Sequence, residues 1–244
     1  MPVFHNEIET SWLGVLEYRE AIELLEAKRQ EVVEKPKGGP GFLFLCEHPA
    51  VITLGRSARV DDLLQKPTWY EQQGFQVEKT NRGGEITCHG PGQLMVYPVV
   101  RLGGGVVEYL QAVAAGIAAA LSAYGISASW KRSPAGLWVA ERKIASCGLH
   151  VRRSVSIHGF AVNVGTRNVE NQQMEERLWS SVKPCGMSRS RITSMAKETT
   201  VSNSLPSVEE LARLTGPLVV SSLLGGATSE KTTTTSNRSL QHRL

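Results

Sequence analysis

Cys185 stands between a proline and a glycine, in Lys183-Pro184-Cys185-Gly186. Proline and glycine favour turns, so this thiol belongs to a turn and can point into a cleft. A free thiol ionises near ~8.5, and a neighbouring cation lowers that value and yields a nucleophilic thiolate. The same residue could equally be a buried structural thiol, the commoner fate of a cysteine. Lys143 heads the run Lys143-Ile144-Ala145-Ser146-Cys147-Gly148. A lysine there is ordinarily a solvated strand end. Turned inward beside Cys185, its ammonium would stabilise the thiolate and could carry protons. A third stretch, Asn81 to Gln93 (NRGGEITCHGPGQ), sets four glycines and a proline among Arg82, Thr87 and His89. Glycines allow backbone angles that other residues resist and let the main chain approach a ligand closely. Two separate glycine turns with polar side chains between them favour a site wall over a plain hairpin connection.

Other chemistries fit less well. Cys46-x-His48, Cys88-His89 and Cys147-x-x-His150 are Cys/His pairs, but none has the spacing of an established zinc site. There is no GxSxG elbow for a serine hydrolase. Gly103-Gly104-Gly105 lacks the lysine that a phosphate cradle needs. His48 and His158 border or sit in apolar strands, where a histidine is commonly hydrogen-bonded to the backbone.

These residues must be carried by a regular scaffold. Tyr18, Ala21, Ile22, Leu25 and Val32 share one face of a helix expected from Trp12 to Glu34. Lys35 to Gly41 breaks it. Short buried strands follow at Phe42–Cys46 and Ala50–Leu54, then a short helix from Asp61 to Gln72 and a strand at Phe75–Lys79. After a strand at Leu94–Val100, the alanine-rich run Val106–Tyr124 reads as a closely packed helix ended by Gly125. Strands at 127–131, 136–140, 143–151 and 154–164 follow, with hairpin turns at Glu141-Arg142 and Arg152-Arg153. Helices are expected at 170–182, 189–197 and 207–224, the last opened by Ser207 with two glutamates in its first turn. The order implies an α/β domain, a mixed and largely antiparallel sheet flanked by helices, over residues 1–224. Residues 225–244 are Ser/Thr-rich without apolar periodicity and read as a flexible tail.

Composition narrows the setting. The chain has 244 residues, 41% of them hydrophobic, enough for a substantial core. No apolar run approaches the ~20 residues of a membrane span. The N-terminus resembles neither a secretory signal nor a transit peptide. Four scattered cysteines read as reduced thiols, which suits a cytoplasmic protein, or a mitochondrial or plastid one whose presequence was removed. The net charge of +4 favours acidic protein partners and is too weak to argue for nucleic acid.

Several stretches, in the right order between about Trp12 and Lys197, resemble the lipoyl(octanoyl) transferases. Arg82-Gly83-Gly84-x-x-Thr87-x-His89-Gly90-Pro91-Gly92-Gln93 is similar to that family's signature. Arg142 to Gly148 resembles its lysine strand, His158-Gly159-Phe160-Ala161-Val162-Asn163-Val164 the strand after it, and Pro184-Cys185-Gly186 its nucleophile turn. Arg191 to Met195, and His48-Pro49 with Thr53 to Arg56, also match. The resemblance implies the fold of the biotin and lipoate protein ligases, with Cys185 as acyl acceptor and Lys143 as its partner. Arg82, Gly83, Gly84, Glu85, Ile86, Thr87, Cys88, His89, Ser146, Cys147, Gly148, Gly159, Phe160 and Ala161 would line the acyl pocket. Cys88 and Cys147 depart from the family pattern and look like tunnel filler. The polar stretch between Asn163 and Pro184 is longer than usual.

The implied activity takes octanoyl from an octanoyl-acyl carrier protein and passes it to a lysine of a lipoyl domain. The implied acceptors are the E2 subunits of 2-oxoacid dehydrogenases and the glycine cleavage H protein. No cofactor or metal is implied, since the acyl group arrives activated. Rival readings are an ATP-dependent lipoate or biotin ligase, a cysteine acyl-thioester hydrolase and a non-catalytic module binding a fatty ligand.

Overall fold

A computed structural model of the chain describes residues 2–35, 37–183, 191–199 and 205–226. Its main sheet has seven strands in the order β1 (Ile8–Val15), β2 (Gly41–Glu47), β6 (Gln93–Val99), β10 (Val155–Asn163), β9 (Arg142–Arg152), β8 (Ala135–Val139) and β7 (Ser129–Arg132). Among the described residues only β1 and β2 are a parallel strand pair in it. A second sheet places β3 (Val51–Leu54) between β4 (Gln76–Lys79), parallel to it, and β5 (Ile86–His89), antiparallel. The mixed, largely antiparallel sheet flanked by helices agrees with the sequence reading.

Three apolar clusters hold these layers. On one face α3 (Val106–Ser122) and α6 (Val208–Leu223) cover Leu43, Leu94, Val96 and Val162. On the other α1 (Tyr18–Glu34) contributes Leu25 and Val32 against Phe42, Phe44 and Met95. The third joins the small sheet, through Ile52, Ile86 and Cys88, to Tyr70 of α2 (Pro67–Gln72) and Leu178 and Trp179 of α4 (Val169–Ser180). The alanine-rich helix is explained by its neighbour. A Cβ added at Gly116 would lie 2.5 Å from the Val219 Cα, so α3 and α6 meet backbone to backbone.

Several boundaries differ from the sequence reading. The expected helix from Trp12 begins only at Tyr18, because Trp12 to Val15 belong to β1, whose partner Gly41–Glu47 lies beyond the helix. The helix expected over Asp61–Gln72 is split into a 3-10 turn at Val60–Asp62 and α2, which opens on Pro67. The stretch Asn81–Gln93 is no simple loop: Ile86 to His89 form β5. Of the helix expected at 189–197, the described part is α5 (Met195–Glu198), preceded by extended chain. Ser207 does open α6, in a reciprocal capping box with Glu210.

That extended chain is clamped. The Thr193 N–H donates to the Lys143 carbonyl at 3.0 Å, and Ile192 pairs with Lys143 in a parallel bridge. The Thr193 hydroxyl donates to Glu198 at 2.6 Å, and Glu198 takes two bonds from Arg142 at 2.8 and 2.7 Å. The Arg142 guanidinium, with Thr193 second, holds the Glu198 carboxyl below its ordinary 4.5. Upstream, Val182 bridges Leu63 and the Lys183 N–H donates to the Asp62 carbonyl. Residues 184–190 connect these two fixed points.

Two expectations follow. Gly116→Ala forces the helices apart and lowers unfolding free energy by about 1–3 kcal/mol in urea titration. Glu198→Gln destabilises the chain at neutral pH. Because the folded carboxyl is held low, its contribution exists above 4.5 and is lost as pH falls through the lowered value. The stability gap between wild type and variant is therefore constant at neutral pH and closes on acidification; a gap that widens contradicts the clamp.

Candidate active site

A cavity of about 60 Å³ opens between the two sheets. Its wall includes Arg82, Gly84, Glu85, Thr87 and His89 from the glycine-rich stretch. Lys143, Ser146, Cys147 and Gly148 come from β9, and Gly159, Phe160 and Ala161 from β10. Twelve residues singled out in the sequence thus meet around one space. Gly83, Ile86 and Cys88 do not reach it. β5 explains two of them, because successive side chains of a strand point to opposite faces. Thr87 and His89 face the cavity, whereas Ile86 and Cys88 are buried in the third apolar cluster. The Cys88 thiol points to the Leu178 carbonyl at 3.8 Å, so it is not filler in this cavity. Gly83 lies flat on β9, its N–H donating to the Leu149 carbonyl at 2.8 Å. Gly90 and Gly92 line a separate hollow of about 20 Å³ beside α4.

Tyr18, Met95, Tyr97 and His158 also line the cavity and were not among the candidate pocket residues. In the sequence Tyr18, Met95 and Tyr97 are indistinguishable from core residues of an apolar helix face and an apolar strand. His158 has φ +61, an unusual angle for a non-glycine residue, in the strand before Gly159. A Cβ at Gly159 would overlap the Val96 carbonyl oxygen, so the strand can bend there only with glycine.

Lys143 is 5% exposed. Its ammonium lies 5.1 Å from the centre of the Trp138 ring, with the Arg191 guanidinium 5.2 Å from the same ring. Both are within cation–π range. Gly136, at φ +151, makes room beneath: a Cβ there would overlap the Ala145 carbonyl and press on the Lys143 Cε at 3.2 Å. Strand geometry therefore turns the lysine inward. Cys185, with Pro184 and Gly186, lies outside the described residues.

The polar groups at the back are held by one another. Arg82 donates through Nε and Nη2 to the Thr53 hydroxyl at 3.0 and 2.8 Å, and through Nη2 to the Thr53 carbonyl at 2.6 Å. His48 bonds the Leu16 carbonyl at 2.7 Å and the Tyr97 hydroxyl at 3.0 Å. The Asn81 side chain accepts from His158 Nε2 at 2.7 Å, while the buried His158 Nδ1 has no hydrogen-bond partner among the described residues. Burial, above all, drops His89 and His158 to about 3, so both are neutral at physiological pH. Burial likewise pushes the Cys147 thiol up to about 12, with Lys143 pulling weakly the other way. Cys147 is thus an inert wall. Among the described residues no group of three metal-ligating side chains is found, and no helix is long and apolar enough to cross a membrane.

The cavity thus sets a buried amine, Arg82, Glu85 and neutral histidines beside the apolar side chains of Met95, Phe160 and Ala161. The family model described as the lipoyl protein ligase A/B catalytic domain matches residues 17–213. An octanoyltransferase of Nitratidesulfovibrio vulgaris is 36% identical over 203 residues, covering 82% of this chain and 87% of its own. One from Solibacter usitatus is 39% identical over 188 residues, covering 75% and 80%. Among solved structures, a lipoate-protein ligase A bound with ATP superposes at TM-score 0.66 with 14% identity, covering 90% of this chain and 85% of its own. A bipartite archaeal lipoate protein ligase from Thermoplasma acidophilum reaches 0.59 with 14% identity, covering 89% and 84%. Those two show the shared fold; the sequence relatives carry the closer kinship. The chain belongs to the lipoyl protein ligase A/B catalytic domain family, among its lipoyl(octanoyl) transferases, and is a transferase enzyme.

Proposed function

We propose that the protein takes an octanoyl group from octanoyl-acyl carrier protein onto Cys185 and hands it to a lysine of a lipoyl domain. The observation that carries this reading is Lys143, a buried amine in the wall of the cavity, backbone-paired to the segment that follows the Pro-Cys-Gly turn.

The first step exchanges one thioester for another. The Cys185 thiolate attacks the donor carbonyl, and the carrier's thiol leaves with a proton, so the step is nearly balanced. In the second step the neutral amine of the acceptor lysine attacks the Cys185 thioester. An amide forms, the C–S bond breaks, and the amine proton passes to the departing thiolate. Lys143 relays protons at the sulfur in both directions. Backbone N–H groups at glycine turns stabilise the carbonyl oxygen as it becomes negative; Gly148 and Gly186 are the candidates. The candidate residues that line the cavity form the slot, and Arg82 and His89 hold its back rather than touch the carbonyl.

The acyl tail lies along Met95, Tyr97, Phe160 and Ala161. Burial of each methylene contributes about 0.8 kcal/mol, which favours the longer of two chains that fit. Met95 is unbranched and adaptable, so it is the wall that yields as the chain enters. Keeping His89 and His158 uncharged leaves the slot fit for hydrocarbon. The acceptors are E2 lipoyl domains and the glycine cleavage H protein, acidic partners that suit the +4 chain. Residues 1–224 form the catalytic unit; of the tail expected at 225–244, residues 227–244 lie outside the described residues.

Incubation with octanoyl-acyl carrier protein gives a hydroxylamine-labile octanoyl adduct by intact-mass spectrometry, absent in Cys185→Ala. Lys143→Ala slows its formation by about 10²–10⁴-fold and raises the pH at which Cys185 alkylates. AMP release from octanoate and ATP would favour a ligase instead. Release of free octanoate, in place of transfer to an added lipoyl domain, would favour a hydrolase.

A further inference from the structure

Five side chains, two of which (Arg82 and His89) belong to the cavity wall, join the back of the acyl slot to the clamped segment. The Thr193 carbonyl can only accept, and it takes the Asn163 Nδ2–H at 2.9 Å. That orients the amide, so Asn163 Oδ1 must accept from Gln93 Nε2, also at 2.9 Å. Gln93 Oε1 then faces His89 Nδ1 at 2.6 Å, and this nitrogen must carry the proton. A neutral imidazole protonated at Nδ1 is bare at Nε2, which faces the Thr53 hydroxyl at 3.4 Å. The Thr53 oxygen already accepts twice from Arg82, so its own hydrogen is available to His89.

Every donor in this chain therefore points the same way, from the buried guanidinium of Arg82 to the Thr193 carbonyl. Hydrogen bonds aligned head to tail polarise and strengthen one another. The last carbonyl belongs to the residue whose N–H grips Lys143. The end of β10 reinforces it, since the Val164 carbonyl accepts from the Ala196 N–H at 3.0 Å. Lys143 is thus fixed from both sides: by its own strand, and by a segment that Asn163 and Gln93 hold.

We propose that Asn163 and Gln93 are positioning residues: their aligned amides, running from His89 to the Thr193 carbonyl, hold segment 191–194 against Lys143 and so set the geometry of acyl transfer. This rests on the reading of Lys143 given above. It makes a directional claim. Asn163→Asp keeps the size and still accepts from Gln93, but cannot donate to Thr193. Gln93→Glu never touches the segment. It can only accept, so Asn163 turns to donate to it and presents its oxygen to the Thr193 carbonyl. Both changes break the same last bond.

The test is steady-state octanoyl transfer from octanoyl-acyl carrier protein to a lipoyl domain by the full chain. Melting temperature is followed alongside. Each variant lowers kcat by about 10- to 100-fold while KM for the donor stays within about threefold, because alignment is lost and binding is not. Wild-type kcat in either variant overturns the proposal. So does a loss confined to KM, or a loss that vanishes when the assay is run well below the variant's melting temperature. Should Asn163→Asp fail to fold, Gln93→Glu decides alone, since that side chain is partly exposed. A wild-type chain that forms no Cys185 adduct overturns the parent reading, whereas normal acylation with unaffected variants overturns this one only.

Discussion

One backbone hydrogen bond, Thr193 N–H to Lys143 C=O, is the join on which the site depends. It binds the far end of the Pro-Cys-Gly segment to the strand that carries the amine. Alone such a bond contributes only about 1 kcal/mol, too little to fix a catalytic geometry. Three other contacts keep it in place. Glu198 receives the Thr193 hydroxyl and the Arg142 guanidinium together, Asn163 donates to the Thr193 carbonyl, and Ala196 is tied to the end of β10. Thr193 is held at its nitrogen, its oxygen and its side chain, which leaves the segment little freedom beside Lys143.

The slot beside this join combines buried polar groups with an apolar path, and burial reconciles them. An unpaired charge there would repel hydrocarbon and destabilise the fold. The histidines avoid that by staying neutral, and the Arg82 guanidinium donates hydrogen bonds to Thr53 and the neighbouring backbone. Glycine does the complementary work. At Gly159 and Gly136 a side chain would strike the neighbouring strand, and at Gly136 it would also press on the lysine stem. The fold makes its opening where these strands bend closest. The lipoate-protein ligase A bound with ATP, at 14% identity, shares this frame as a fold.

Much of this was legible in residue order. Helical spacing from Tyr18 to Val32, the strand runs and hairpin turns of β8 to β10 and the alanine run of α3 all report contacts with near neighbours or one partner. Local signals failed where the deciding partner is distant. Trp12 to Val15 become a strand because Gly41–Glu47 receives them, which periodicity cannot register. Ile86 to His89 are too short, and too closely framed by glycines, to read as a strand. Missing that strand hid the alternation that sends Thr87 and His89 to the cavity and Ile86 and Cys88 away from it. The roles of Gln93 and Asn163 were invisible for the same reason. A glutamine after a glycine turn and an asparagine at a strand end look like solvated polar residues until their partners 70 and 30 positions away are known.

The claim beneath all of this is that the thiol of Cys185 and the amine of Lys143 are neighbours. Ortho-phthalaldehyde measures that directly, because it closes a fluorescent isoindole only between a thiol and an amine in immediate reach. Treatment of the full chain, followed by peptide mapping, should give one cross-link, joining Cys185 to Lys143 and lost when either residue is replaced. A cross-link from Cys185 to Lys183 alone, or none at all while Cys185 still alkylates freely, would contradict the account.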